Sequence, residues 1–135
     1  MSGALSSEDH LGRAMHKTVL IVEDDYLNMM FYNDVLEAHG YGTLQATDGA
    51  PVLAMAREHK PDLILMDMQL PGASGMDITR SLKQDEQARN IPVVAVTAMA
   101  MRGDEAKIRA AGCDGYLSKP IGVAGFIETV RRHIG

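Results

Sequence analysis

Along this chain, short apolar runs alternate with longer stretches in which apolar residues recur every three or four positions. The runs are TVLIV (18–22), GTLQA (42–46), DLILM (62–66), PVVAV (92–96) and DGYLS (114–118). The first, third and fourth are almost continuously apolar, as strands covered on both faces are. The second and fifth carry more polar residues and suit the edges of a sheet. Helices are expected near 26–38, 50–59, 75–84, 102–111 and 122–133. In the first, Leu27, Met30, Phe31, Asp34, Val35 and Ala38 share one face, which makes it the expected core face. In the last, Phe126, Ile127, Val130 and Ile134 do the same. Gly40 and Gly112 stand where helices should end, and left-handed caps favour glycine there. Pro61 and Pro92 open the third and fourth strands, where a missing N–H does least harm. Strand–helix alternation repeated five times implies right-handed crossovers and a parallel sheet. The fold class is therefore α/β, a doubly wound five-stranded parallel sheet; the class, rather than any residue, supplies the order 2-1-3-4-5.

That order reverses between strands 1 and 3, so a crevice opens at their carboxyl ends. Glu23, Asp24 and Asp25 follow strand 1, and Asp67 follows strand 3. Converging carboxylates repel one another, and a hard cation relieves the repulsion. Mg2+ takes oxygen ligands in an octahedron and keeps several waters, so one or two carboxylates, a backbone carbonyl and a phosphoryl oxygen would complete its shell. Asp25, just ahead of a helix, suits an N-cap instead. Thr97 ends strand 4 and Lys119 ends strand 5. Singly these are ordinary residues; what signals a site is their placement at successive equivalent strand ends. A carboxylate can attack phosphorus and form an acyl phosphate. Such transfer needs placement and charge neutralisation more than proton chemistry. Asp67 stands alone after the central strand and is the candidate nucleophile. Glu23 and Asp24 are candidate metal ligands, directly or through water. Lys119 and the Thr97 hydroxyl would stabilise the phosphoryl oxygens.

Composition narrows the field further. The 135 residues, 46% hydrophobic, suffice for one domain with a proper core. Residues 1–16 are polar and without period, so they read as a disordered leader or an expression remnant. No apolar run is long enough to span a bilayer, so direct membrane insertion is not expected. Cys113 is the single cysteine, which excludes an internal disulfide and suits a cytoplasmic setting. A net charge of −5 offers no basic field for nucleic acid. His39, His59 and His133 lie at helix ends and read as surface residues without a metal role.

The motifs VLIVEDD (19–25), DLILMDMQLPGASG (62–75), VVAVTAMA (93–100) and AGCDGYLSKP (111–120) occur in this order and spacing. In them the chain resembles the receiver domain of two-component response regulators, over residues 17–135, with a flavodoxin- or CheY-like fold. LIVEDDYLNMM, DVLEAHGYGTLQA and VTAMAMRGDE narrow the likeness to stand-alone regulators of bacterial cell division and polarity. The resemblance implies that Asp67 is the phosphoacceptor and that Glu23, Asp24, Asp67 and the Gln69 backbone carbonyl hold Mg2+. It implies that Thr97 and Tyr116 form the switch and that Lys119 contacts the phosphoryl group, with a cis bond to Pro120. Gln69 and Met99 would flank that group and tune its lifetime, self-dephosphorylation being slow. In the switch Thr97 moves inward, Tyr116 turns from exposed to buried, and the face of helix 4, strand 5 and helix 5 changes. A plainer reading leaves Tyr116 as a half-buried edge tyrosine packed on helix 5.

The donor implied is a histidine kinase or phosphotransfer protein. No further module follows residue 135, so output is expected through a listening kinase or phosphatase, with the protein a monomer or weak dimer, recruited to a pole or a membrane-bound kinase. It is expected to be a phospho-accepting signalling protein rather than an enzyme. The alternative is a pseudo-receiver, an interaction module indifferent to phosphorylation. An aspartyl phosphatase would place D-x-D-x-T after strand 1, and a flavin carrier a hydroxyl-rich loop; EDD stands there instead.

Overall fold

The computed structural model describes residues 16–70, 72–98 and 104–135. Residues 1–15 of the expected leader, and Met99, lie outside them. Five strands form one parallel sheet: β1 (Thr18–Val22), β2 (Gly42–Ala46), β3 (Leu63–Asp67), β4 (Val93–Thr97) and β5 (Gly115–Ser118). Their order is β2-β1-β3-β4-β5, with the two more polar strands at the edges. The helices are α1 (Tyr26–Ala38), α2 (Val52–His59), α3 (Gly75–Gln84), α4 (Asp104–Ala110) and α5 (Val123–Ile134).

Alternate residues of the inner strands feed two cores. Leu20, Val22, Ile64, Met66, Val93 and Ala95 face α2, α3 and α4, meeting Val52, Leu82 and Ile108. Val19, Ile21, Leu63, Leu65, Val94 and Val96 face α1 and α5, meeting Leu36 and Phe126. The near-continuous apolar runs thus reflect two covered faces. Gly40 sits at φ +89° past α1. There Tyr41 N–H donates to Leu36 O at 3.0 Å and Gly40 N–H to Glu37 O at 3.0 Å, the paired bonds of a left-handed helix end. Gly112, at φ +111°, closes α4 in the same way.

Two expectations need correction. The first is the core face of α1: Met29, Tyr32 and Leu36 are the buried residues, while Leu27 is 75% and Met30 38% exposed. Asp34 and Ala38 are exposed too, leaving only Phe31 and Val35 partly buried from the expected stripe. The helix is turned by about one residue, roughly 100°. That turn puts Tyr32, with its large ring, against Phe126, the ring centroids 5.5 Å apart.

The second concerns strand limits. β3, β4 and β5 each begin one residue later than their apolar runs suggest, and β3 and β4 also end one residue later. At the amino ends an aspartate bonds the neighbouring strand twice: its N–H donates to Thr18 O at 2.8 Å (Asp62) or Val93 O at 2.7 Å (Asp114), and its Oδ2 accepts from the Thr18 or Val93 N–H at 2.8 Å in place of a backbone carbonyl. At the carboxyl ends the ladder runs on through Asp67, paired with Val96, and Thr97, paired with Ser118.

Candidate functional site

The strand ends bring the site together from four separate segments. Glu23 follows β1 and keeps the ladder going for one more bond, its N–H donating to Ala46 O at 3.0 Å. Its carboxylate turns inward and is 1% exposed. Glu23 Oε2 accepts from Asp25 N–H at 3.0 Å. Glu23 Oε1 is buried with no hydrogen-bond partner among the described residues. Asp24 is exposed at the rim. Asp25 is the N-cap of α1, as its position suggested, its Oδ1 accepting from Asn28 N–H at 2.9 Å.

Asp67 is 3% exposed. Its Oδ1 accepts from Gln69 N–H at 2.9 Å. Gln69 belongs to a feature the apolar pattern does not show: Gln69–Leu70 and Ala73–Ser74 pair as two short antiparallel strands directly after β3. Gly75 then starts α3 against the same segment. A Cβ there would lie 2.5 Å from Asp67 O and 2.8 Å from Met68 Cα, so only glycine allows this approach. The Gln69 side chain itself is exposed.

Lys119 follows β5, its N–H donating to Thr97 O at 2.8 Å. Its Nζ stands 3.7 Å from Asp67 Oδ2 and 3.8 Å from Glu23 Oε1. Both separations exceed hydrogen-bond length, so the ammonium neutralises the acids while leaving space between them. The Lys119–Pro120 bond is cis. Thr97 is fully buried at the end of β4.

Carboxylate oxygens of Glu23, Asp24 and Asp67 lie within 4.8 Å of one another. Burial pushes the Glu23 carboxyl from 4.5 up to about 7; the Asp67 charge adds to the rise, and Asp25 N–H and Lys119 oppose it. A crowded, all-oxygen donor set in which one buried oxygen has no hydrogen-bond partner among the described residues fits a small hard cation. A cavity of about 560 Å³ opens beside these groups, lined by Asn28, Phe31 and Tyr32 of α1 and by Ala98, Lys119, Pro120 and Ile121. Burial, and then the charges of Glu23, Asp67 and Asp25, push the Tyr32 hydroxyl far above its usual range, so it stays protonated. Sequence reasoning passed over Tyr32, although its spacing from Asn28 puts both on one helix face.

Tyr116 is half-buried on β5 and packs with the α2–α4 core. Its hydroxyl donates to Glu105 Oε1 of α4 at 3.1 Å. The plainer expectation of packing on the last helix is thus corrected: residue 116 alternates to the opposite face, and Leu117 meets the α1–α5 core.

An α/β sheet of this order, with acids, a hydroxyl and an amine at its carboxyl ends, defines a receiver class. The response regulator receiver domain family matches residues 19–131, and the chain belongs to it. It is 54% identical over 121 residues to the polar-differentiation response regulator DivK of Brucella anthropi, covering 90% of this chain and 98% of that one. The DivK protein of Brucella ovis is 55% identical over the same span and shares. Among solved structures, the receiver domain of the sensor histidine kinase PA1611 of Pseudomonas aeruginosa superposes with a TM-score of 0.82 at 33% identity, covering 89% of this chain and 98% of that one. That domain holds a magnesium ion in its active-site cleft. No helix among the described residues is long and apolar enough to cross a membrane.

Proposed function

We propose that this receiver domain accepts a phosphoryl group on Asp67 from a histidine kinase or phosphotransfer protein and signals through a partner-binding face. What carries the reading is the convergence of a buried Asp67 carboxylate, the Lys119 ammonium 3.7 Å away and a buried Glu23 oxygen with no hydrogen-bond partner among the described residues. An Asp67 oxygen attacks the phosphorus of a phosphohistidine; the P–N bond breaks, the imidazole nitrogen recovers its electron pair, and an acyl phosphate forms. Asp67 Oδ1 is held by Gln69 N–H, which leaves Oδ2 on the Lys119 side for the attack. Lys119 and the Thr97 hydroxyl meet the charge on the transferred oxygens. Glu23, Asp24, Asp67 and the Gln69 carbonyl are the residues that would hold Mg2+, which supplies charge neutralisation between them and the phosphoryl group.

The donor reaches Asp67 past the rim of α1, where Tyr26 (72%) and Leu27 (75%) expose large apolar side chains. Thr97 and Tyr116 relay the change to α4, β5 and α5, where a kinase or phosphatase listens. Gln69, exposed beside Asp67, is placed to tune the phosphate lifetime. Likeness to the two Brucella regulators supports a role in polarity and cell-cycle control, with recruitment to a pole or a membrane-bound kinase.

Incubation with Mg2+ and acetyl phosphate, followed by intact mass, tests the proposal. The expected result is a gain of one phosphoryl group, absent with EDTA and in Asp67→Asn. No gain in the unsubstituted protein, or an undiminished gain in Asp67→Asn, refutes it and leaves a pure interaction module.

A further inference from the structure

Glu105 stands in the first turn of α4, and its two carboxylate oxygens have different duties. Oε1 accepts from the Tyr116 hydroxyl at 3.1 Å, joining the helix to the edge strand. Oε2 accepts from Arg109 Nε at 3.2 Å, one helical turn on. The arginine therefore holds the carboxylate in place, and the carboxylate holds the tyrosine. Tyr116 pairs with Ala95 across the β4–β5 ladder, and Thr97 pairs with Ser118. Alternation puts Thr97 and Tyr116 on the same face of the sheet, so a change at one alters the space open to the other.

We propose that Glu105 is a positioning residue of the switch: its carboxylate fixes the Tyr116 hydroxyl beside α4 and so sets how rarely the unphosphorylated domain adopts the inward arrangement. This rests on the reading of Tyr116 as the switch aromatic. A ring that turns inward must leave Glu105, and the bond is lost with it. The contact also raises the Tyr116 phenol above its usual range, first through the hydrogen bond and then through the carboxylate charge. A phenol kept protonated is the donor that the contact requires.

A ligand that prefers the inward state binds more tightly when that state is more populated. Solvent screens this exposed contact, so its loss counts as that of an ordinary hydrogen bond and shifts such an equilibrium by about five-fold. The test uses the full chain carrying 3-fluorotyrosine, titrated with beryllofluoride and Mg2+ as a phosphoryl mimic. Fluorine signals of Tyr26 and Tyr32 report saturation in every variant, and Tyr116→Phe identifies the Tyr116 signal. Glu105→Ala should lower the beryllofluoride midpoint about five-fold. Glu105→Gln, which keeps a carbonyl acceptor, should stay close to the unsubstituted protein. In the Tyr116→Phe background Glu105→Ala should have no further effect. An unchanged midpoint in Glu105→Ala, or a shift that persists without the Tyr116 hydroxyl, overturns the proposal. If the unsubstituted protein does not respond to beryllofluoride, the phosphoacceptor reading fails instead. Phenol titration then judges the contact alone: Tyr116 ionising at lower pH in Glu105→Ala sustains it, and an unchanged titration overturns it.

Discussion

Replacing Glu23 with glutamine should stabilise the metal-free protein at alkaline pH and change little in acid. Glu23 is buried, one of its oxygens has no hydrogen-bond partner among the described residues, and Asp67 adds negative charge beside it. The carboxyl accordingly titrates at about 7 in the folded state, against 4.5 for the ordinary group. For an acid raised in this way the folded state holds a proton that the unfolded state gives up. Its contribution is fully present below pH 4.5, declines as pH rises, and is lost above about 7. The displacement corresponds to about 3 kcal/mol at pH 8. Glutamine has nothing to ionise, and its carbonyl can still accept from Asp25 N–H. Urea unfolding in EDTA from pH 4.5 to 8 measures the difference. With a slope of ~1.5–2 kcal/mol per molar, the variant's midpoint should lie about 1.5–2 M higher at pH 8 and coincide in acid. Mg2+ should raise the unsubstituted protein at pH 8 more than the variant, which keeps Asp24, Asp67 and the Gln69 carbonyl but loses one carboxylate from the set, because a ligand stabilises in proportion to how tightly it binds. A difference that is flat across this range, or a variant weaker at pH 8, would refute the reasoning.

Gly75→Ala places a methyl 2.5 Å from Asp67 O, against backbone that cannot step aside. It should cost about 1–3 kcal/mol in urea unfolding and slow acetyl phosphate labelling, because the segment holding Asp67 must shift. Asp114→Ala strips the acceptor from the Val93 N–H and from Lys83 Nζ, 2.8 and 2.9 Å away. A loss of about 1–3 kcal/mol by thermal or urea unfolding is expected, with labelling of Asp67 retained. Leu27→Ser alters a side chain 75% exposed, so the unfolding midpoint should not move. Transfer from a phosphorylated donor should slow while acetyl phosphate labelling stays the same; equal slowing of both would remove α1 from donor docking.

The strand–helix alternation was legible because the inner strands are apolar on both faces, and the edges declared themselves by their polarity. Glu23, Asp24, Asp67 and Lys119 were legible as a group, since one topological rule places all strand ends on one side. The α1 face was misread: Leu27 and Met30 are as apolar as Met29, and no periodicity shows that their place is at the surface. Strand limits slipped by one at Asp62 and Asp114, where a side-chain oxygen takes the place of a backbone carbonyl in one of the two cross-strand bonds. The Gln69–Ser74 hairpin carries too few residues for any period. The grip of Gln69 N–H on Asp67 and the Glu105–Tyr116 bond join groups whose meeting depends on the folded geometry.

Asp67 and Thr97 are the last rungs of β3 and β4, two of the three strands flanked by neighbours on both sides. Amide protons there should be among the slowest of the molecule to exchange. A chemical event at such an anchored point has little freedom to travel back along the strands. If Asp67 takes the phosphoryl group as proposed, the mechanical effect would emerge where the backbone leaves the sheet, at Met68 and at Ala98, with the anchored strand ends acting as a fulcrum.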